Sequence, residues 1–69
     1  MNDDLIGSWV EISLSNGKNW VGKIEEWDDD AIFISNGFAF GHSDHKGAEC
    51  TNSEASQVVP TDKREFFVE

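Results

Sequence analysis

One cysteine, Cys50, stands in a chain of 69 residues, so no intramolecular disulfide can form. A reducing compartment follows as the simplest expectation. Cations are scarce: 5 Lys+Arg face 14 Asp+Glu, for a net charge of -9. That balance excludes a general polyanion-binding surface, because non-specific nucleic-acid affinity comes from neutralising phosphates with Lys and Arg. It equally excludes a basic membrane-surface module. No apolar run approaches the roughly 18 residues of a membrane-spanning helix. Met1-Asn2-Asp3-Asp4 lacks the basic start and apolar core of a signal peptide, and a cytoplasmic protein is expected. No glycine-rich phosphate loop, nucleophile elbow or His-Glu-x-x-His is present, so no enzyme and no cofactor are expected.

What is present is a single domain, residues 1–69, rich enough to fold at 38% hydrophobic and 12% aromatic residues. A lone core at this size is marginal, since folding buries only about 60% of the unfolded chain's surface. Without a disulfide, stability must come from packing, a metal or a partner subunit.

The pattern is that of strands. Val10, Ile12 and Leu14 alternate with Glu11 and Ser13, the period of a half-buried strand. Asn16-Gly17 then signals a hairpin turn. A second strand runs over about 18–27, with Trp20, Gly22 and Ile24 on one face. Trp27 breaks that alternation, which calls for a bulge near Glu25-Glu26. Gly22 within the strand predicts curvature or close backbone approach. Ala31-Ile32-Phe33-Ile34 is a third strand. It ends at Ser35-Asn36-Gly37, or continues to about residue 41 through Phe38 and Phe40. Residues 41–53 read as a polar, mobile loop between strands three and four. A fourth strand covers about 54–59, stopped by Pro60, and a fifth about 63–68. The expected architecture is all-β: a five-stranded, strongly bent antiparallel barrel, entered through at most one helical turn. Its predicted interior is Leu5, Val10, Ile12, Leu14, Trp20, Ile24, Trp27, Ile32, Ile34 and Val58 or Val59.

Two blocks carry a family resemblance. Val10-x-Ile12-x-Leu14-x-Asn16-Gly17, Gly22-x-Ile24-x-x-Trp27-Asp28 and Ala31-Ile32-Phe33-Ile34 resemble the first motif of the Sm-like family. Ser56-Gln57-Val58-Val59-Pro60 resembles the end of its second motif, and the spacing is closest to the bacterial Hfq-like branch. The resemblance implies a bent barrel that joins edge strand four to edge strand five of a neighbour and closes a homo-oligomeric ring. The other fold with this outline is a Tudor-type SH3-like barrel, in which Trp9, Trp20 and Trp27 would be candidates for an aromatic cage.

Ring closure also follows from unpaired edges, which a head-to-tail partner satisfies. In Glu65-Phe66-Phe67-Val68-Glu69 the three apolar residues cannot all face one interior, so Phe66 or Phe67 points outward. Val58, Phe66, Phe67 and Val68 are therefore the candidate oligomer interface.

The resemblance further implies RNA binding, at the step after strand two and before strand four. The matching residues here are Asp28, Asp29, Asp30, Asn52 and Ser53, with Lys63 and Arg64 as a lone basic pair. Base stacking on aromatics and phosphate contacts from cations supply single-strand affinity, and both are missing at residues 28–30 and 51–53. Three readings stay open: an RNA-binding regulator with altered site residues, an acidic ring that binds basic proteins, and a nucleic-acid charge mimic. His42, His45 and Cys50 lie within nine residues and are the candidate zinc ligands, although the spacing is not that of a finger and no metal is expected.

Overall fold

A computed structural model describes residues 3–69; Met1 and Asn2, part of the acidic start, lie outside the described residues. A 3-10 turn, Asp3–Leu5, leads into β1 (Trp9–Leu14) and β2 (Asn19–Trp27). β3 (Ala31–Ser35), β4 (Gly47–Thr51), β5 (Ala55–Pro60) and β6 (Phe67–Val68) follow. All pairs are antiparallel. The strand order is β4-β3-β2-β1-β5, with β6 pairing β2 off that path.

The alternation in β1 is realised as written: Val10, Ile12 and Leu14 are buried and the residues between them are half-buried. The turn after it differs in detail from a two-residue Asn-Gly hairpin. Gly17 N–H donates to Leu14 O at 3.0 Å, and Gly17 alone takes positive φ, at 88°. This is a three-residue loop, in which only the last position needs the left-handed region. Asn16 contributes through its side chain, whose Oδ1 accepts from Lys18 N–H at 3.0 Å.

β2 bends where expected. Its register against β3 shifts between Ile24 and Glu26, so both Glu25 and Glu26 lie outside the core while Trp27 returns to it. At Gly22 a Cβ would stand 2.8 Å from Ile34 Cδ1 and 3.0 Å from Ile34 Cβ, so only glycine lets β3's isoleucine cross that strand. A second irregularity, between Ser13 and Leu14 against β5, bends the other end of the sheet. There Ser56 Oγ–H donates to Ser13 O at 2.8 Å.

The sheet wraps one core of Val10, Ile12, Leu14, Ile24, Ile32, Ile34 and Cys50. Leu5, Trp20, Trp27, Val58 and Phe66 pack against it. Of the two valines left open by the sequence, Val58 faces in, while Val59 is 37% exposed.

Three expectations are corrected and one open alternative, the end of β3, is decided. The segment 41–53 is not one loop: it contains β4, so the strand expected at 54–59 is the fifth and the barrel has one more strand than predicted. Gly, Ala and Glu are poor strand formers, and only Ala48 and Cys50 mark the buried face, so the alternation is faint. β3 stops at Ser35, because Asn36 turns the chain. Asn36 Oδ1 accepts from Phe38 N–H and Lys46 N–H at 3.2 and 3.3 Å, and Gly37 follows at φ 91°. The last strand keeps two residues of the predicted 63–68, paired to Trp20 and Val21. Pro60 ends β5 as its final ladder residue rather than standing beyond it.

Cys50 belongs to the core at 4% exposure, and burial together with nearby Glu54 and Glu49 pushes its thiol pKa up. A thiol held protonated and covered is a poor nucleophile. Titration with a disulfide reagent should therefore show no fast-reacting thiol until denaturant is added. A stoichiometric fast phase in native buffer would contradict this packing.

Candidate functional site

The two segments named by the resemblance meet at one end of the barrel. The β2–β3 turn is held by Asp28, whose Oδ1 accepts from Asp30 N–H and Ala31 N–H, both at 2.9 Å. Those two donors hold the Asp28 carboxyl below its usual range. Asn52, in the β4–β5 turn, staples that loop. Its N–H donates to Asp30 O at 2.9 Å, its Nδ2 donates to Asp28 O at 2.9 Å, and its Oδ1 accepts from Trp27 Nε1–H at 2.8 Å. Ser53 Oγ lies 3.1 Å from Thr51 Oγ1. Asp29 and Asp30 remain exposed.

The chemistry of this end is acidic and largely self-satisfied. Asn52 spends its carbonyl oxygen and one amide proton on the fold. These contacts present no cation beside Asp28–Asp30, and the adjoining aromatic, Trp27, is half-buried against the core with its indole N–H given to Asn52. Lys63 and Arg64 belong to another surface. Lys63 Nζ lies 3.5 Å from Glu11 Oε2, and Arg64 donates to Thr61 O and Lys63 O while its guanidinium sits 5.9 Å from the Trp9 ring centre. They line a groove with Asn19, Val21, Phe67 and Glu69, on the outer side of β1 and β2.

The zinc candidates do not converge. His42 stacks on Phe38 with ring centres 4.7 Å apart, His45 Nε2 lies 3.4 Å from Glu25 Oε2, and Cys50 is in the core. Among the described residues no group of three or more His, Cys, Asp and Glu side chains is placed to hold a metal ion. Trp9, Trp20 and Trp27 form no cage either: Trp20 and Trp27 pack on the core, and Trp9 faces Arg64.

The candidate interface residues divide. Val58 and Phe66 are half-buried against the core, whereas Phe67 and Val68 are 49% and 36% exposed at β6. The predicted alternation of the Phe pair is thus present, with Phe66 turned in and Phe67 out.

β4 and β5, the two ends of the strand order, each keep one side without a partner strand among the described residues, as does the short β6. Antiparallel ladders direct N–H and C=O of alternate residues to opposite sides. Thr61 N–H donates to Trp9 O, so Val59 and Gln57 turn their backbone groups toward β1. Val58 and Pro60 turn theirs outward, where proline's missing N–H costs nothing within the subunit. On β4, Asn36 N–H donates to Lys46 O and Asn52 N–H to Asp30 O, which sets Ala48 and Cys50 toward β3 and Gly47, Glu49 and Thr51 outward. Thr51 is already occupied. Its N–H donates to Glu54 Oε1 at 3.1 Å, its Oγ1–H to the same oxygen at 2.9 Å, and its C=O accepts from Glu54 N–H at 3.1 Å. These bonds lower the Glu54 pKa. Gly47 and Glu49 on one edge, and Val58 on the other, are left with outward donors and acceptors.

The Thr51–Glu54 cap has no counterpart among the sequence expectations, whereas the bulge expected near Glu25-Glu26 is present and sets the half-buried Glu25 beside the exposed Glu26. No helix among the described residues is long and apolar enough to cross a membrane. Comparison with protein-family models, curated proteins and solved structures found no match to this chain.

Proposed function

We propose that this protein is an Sm-like, ring-forming binding protein that acts without catalysis, assembling through β4 of one copy and β5 of the next and recruiting a basic protein partner. The observation that carries the reading is the strand order itself: an antiparallel sheet with unpaired edges at both ends, each with outward donors and acceptors. Pairing them in a head-to-tail manner satisfies both and closes a ring when the rotation fits. It also supplies the additional burial that a 69-residue core needs. The reading places the protein in a reducing cytoplasm, in keeping with its single buried thiol.

Acidity selects the partner. The net charge of -9, and the exposed carboxylates of Asp28, Asp29 and Asp30 at the end of the barrel where the resemblance implies RNA contacts, favour a cationic protein over a polyanion. Light scattering at tens of micromolar should report a closed oligomer. In the same buffer, labelled oligo-U and oligo-A should fail to bind even at low salt, where phosphate attraction is strongest. A monomer would remove the ring. Tight, salt-sensitive oligonucleotide binding would replace the basic partner with RNA.

A further inference from the structure

The geometry points to an arginine-binding groove on the outer face of the β2 bulge, built from Glu25, Glu26, Phe33 and Phe40. These four residues line one open groove of about 410 Å³. The bulge between Ile24 and Glu26 turns two consecutive carboxylates to the same side of the sheet. Glu26 stands directly across from Phe33 on β3. Phe33 is held low over β4, because Gly47 has no Cβ: one would lie 2.8 Å from Phe33 Cζ. Phe40 reaches over from the β3–β4 connection and is 88% exposed, steadied by an edge contact to His45 at 5.6 Å between ring centres.

Such an arrangement is complementary to one chemistry. A guanidinium stacks on aromatic faces and donates in a planar fork to carboxylates, and both partners are side by side here. Glu25 is shared with His45, but Glu26 has no hydrogen bond or ion pair among the described residues. Its charge is therefore unanswered among the described residues. A second shallow groove reuses Glu25 and Glu26 and continues past Trp27 to Asp28. An extended peptide with a second basic residue fits that continuation. The occupant is an arginine-containing segment of a basic protein. The inference deepens the binding-protein reading and rests on it, but all its residues come from one subunit and it does not need the ring.

The test is a titration of ¹⁵N-labelled protein with the peptide Gly-Arg-Gly-Arg-Gly at low salt, alongside its citrulline analogue and with light scattering on the same samples. Amide shifts should centre on residues 25, 26, 33 and 40, and the citrulline peptide should leave them in place. Phe40→Ala, at a solvent-exposed ring, should weaken binding about two- to fivefold. Glu26→Gln should weaken it by a similar factor, about twofold or more. Asp62→Asn removes the same charge from an exposed position that lines neither groove and should leave the affinity nearly unchanged. The inference is overturned if Asp62→Asn matches Glu26→Gln, if the citrulline peptide binds equally, if the shifts fall elsewhere, or if no binding occurs. Binding by a protein that sizes as a monomer would keep the groove and remove the ring; a ring that ignores the peptide would do the reverse.

Discussion

Glu49→Pro should yield a folded chain that sizes as a monomer of about 7.7 kDa. Glu49 is exposed, and its N–H points away from β3, so proline removes no bond inside the subunit. In the proposed ring, that N–H would face the β5 of a neighbour. Proline deletes the donor and places its Cδ where the partner strand must approach. One backbone hydrogen bond nets only about 1 kcal/mol. The obstruction, however, acts at every interface of a closed assembly, so a modest loss per contact opens the whole ring. Glu49→Ala keeps the N–H and should keep the oligomer. Far-UV circular dichroism with a cooperative thermal transition would establish that the proline variant is folded. Should it be folded and still size like the parent, the subunits do not meet along β4, and the exposed Phe67 and Val68 become the next surface to test.

The second large effect is internal. Gly22→Val should destabilise the protein by about 3 kcal/mol or more, at the upper end of overpacking costs. The first carbon of the new side chain already meets Ile34, whose Cβ as well as its terminal carbon lies within 3.0 Å of the position a Cβ would take. A flexible chain end could swing aside; Ile34 is fully buried and cannot. A domain of this length holds about 3–10 kcal/mol in total, so such a loss empties much of the native population. Gly17→Ala provides the contrast. Nothing lies within 4 Å of its Cβ position, and only the positive φ of 88° penalises it, at about 1 kcal/mol. Urea unfolding of both variants separates steric from conformational cost. Equal midpoints would mean that β3 can slide over β2, contrary to the packing described.

Legibility in the sequence followed the strength of the local signal. Val10, Ile12 and Leu14 announce β1 because each alternate side chain is large and apolar. The break at Trp27 and the glycine at position 22 announce the bulge and the close crossing, because each violates a pattern already established. β4 stays hidden: Gly47, Ala48, Glu49, Cys50 and Thr51 are small or polar, and what makes them a strand is the ladder to β3, a tertiary fact. The expected last strand, 63–68, is longer than β6 because Lys63-Arg64-Glu65 runs straight into the Phe pair in sequence, whereas only Phe67 and Val68 find partners on β2. The barrel end formed by residues 28–30 and 52–53 was legible only through resemblance; nothing local says that Asn52 reaches Trp27 and Asp28. The groove of Phe33 and Phe40 needs the fold of the β3–β4 connection, which brings residues far apart in a polar stretch over a strand. Cys50 drew attention as a candidate ligand by its type, and its place in the alternation of a faint strand makes it core.

The Glu54 carboxylate on Thr51 and the proline at the end of β5 have a consequence for growth. Each open edge offers only a short run of usable backbone groups, bounded by a carboxylate cap on one strand and a residue without an N–H on the other. A stray strand laid along either edge gains few bonds before it meets a stop, so fibre-like extension is starved of the long ladder it requires. Only a partner edge of matching short length recovers what is offered. Finite, closed assembly is thus favoured over open-ended stacking by how soon each edge runs out.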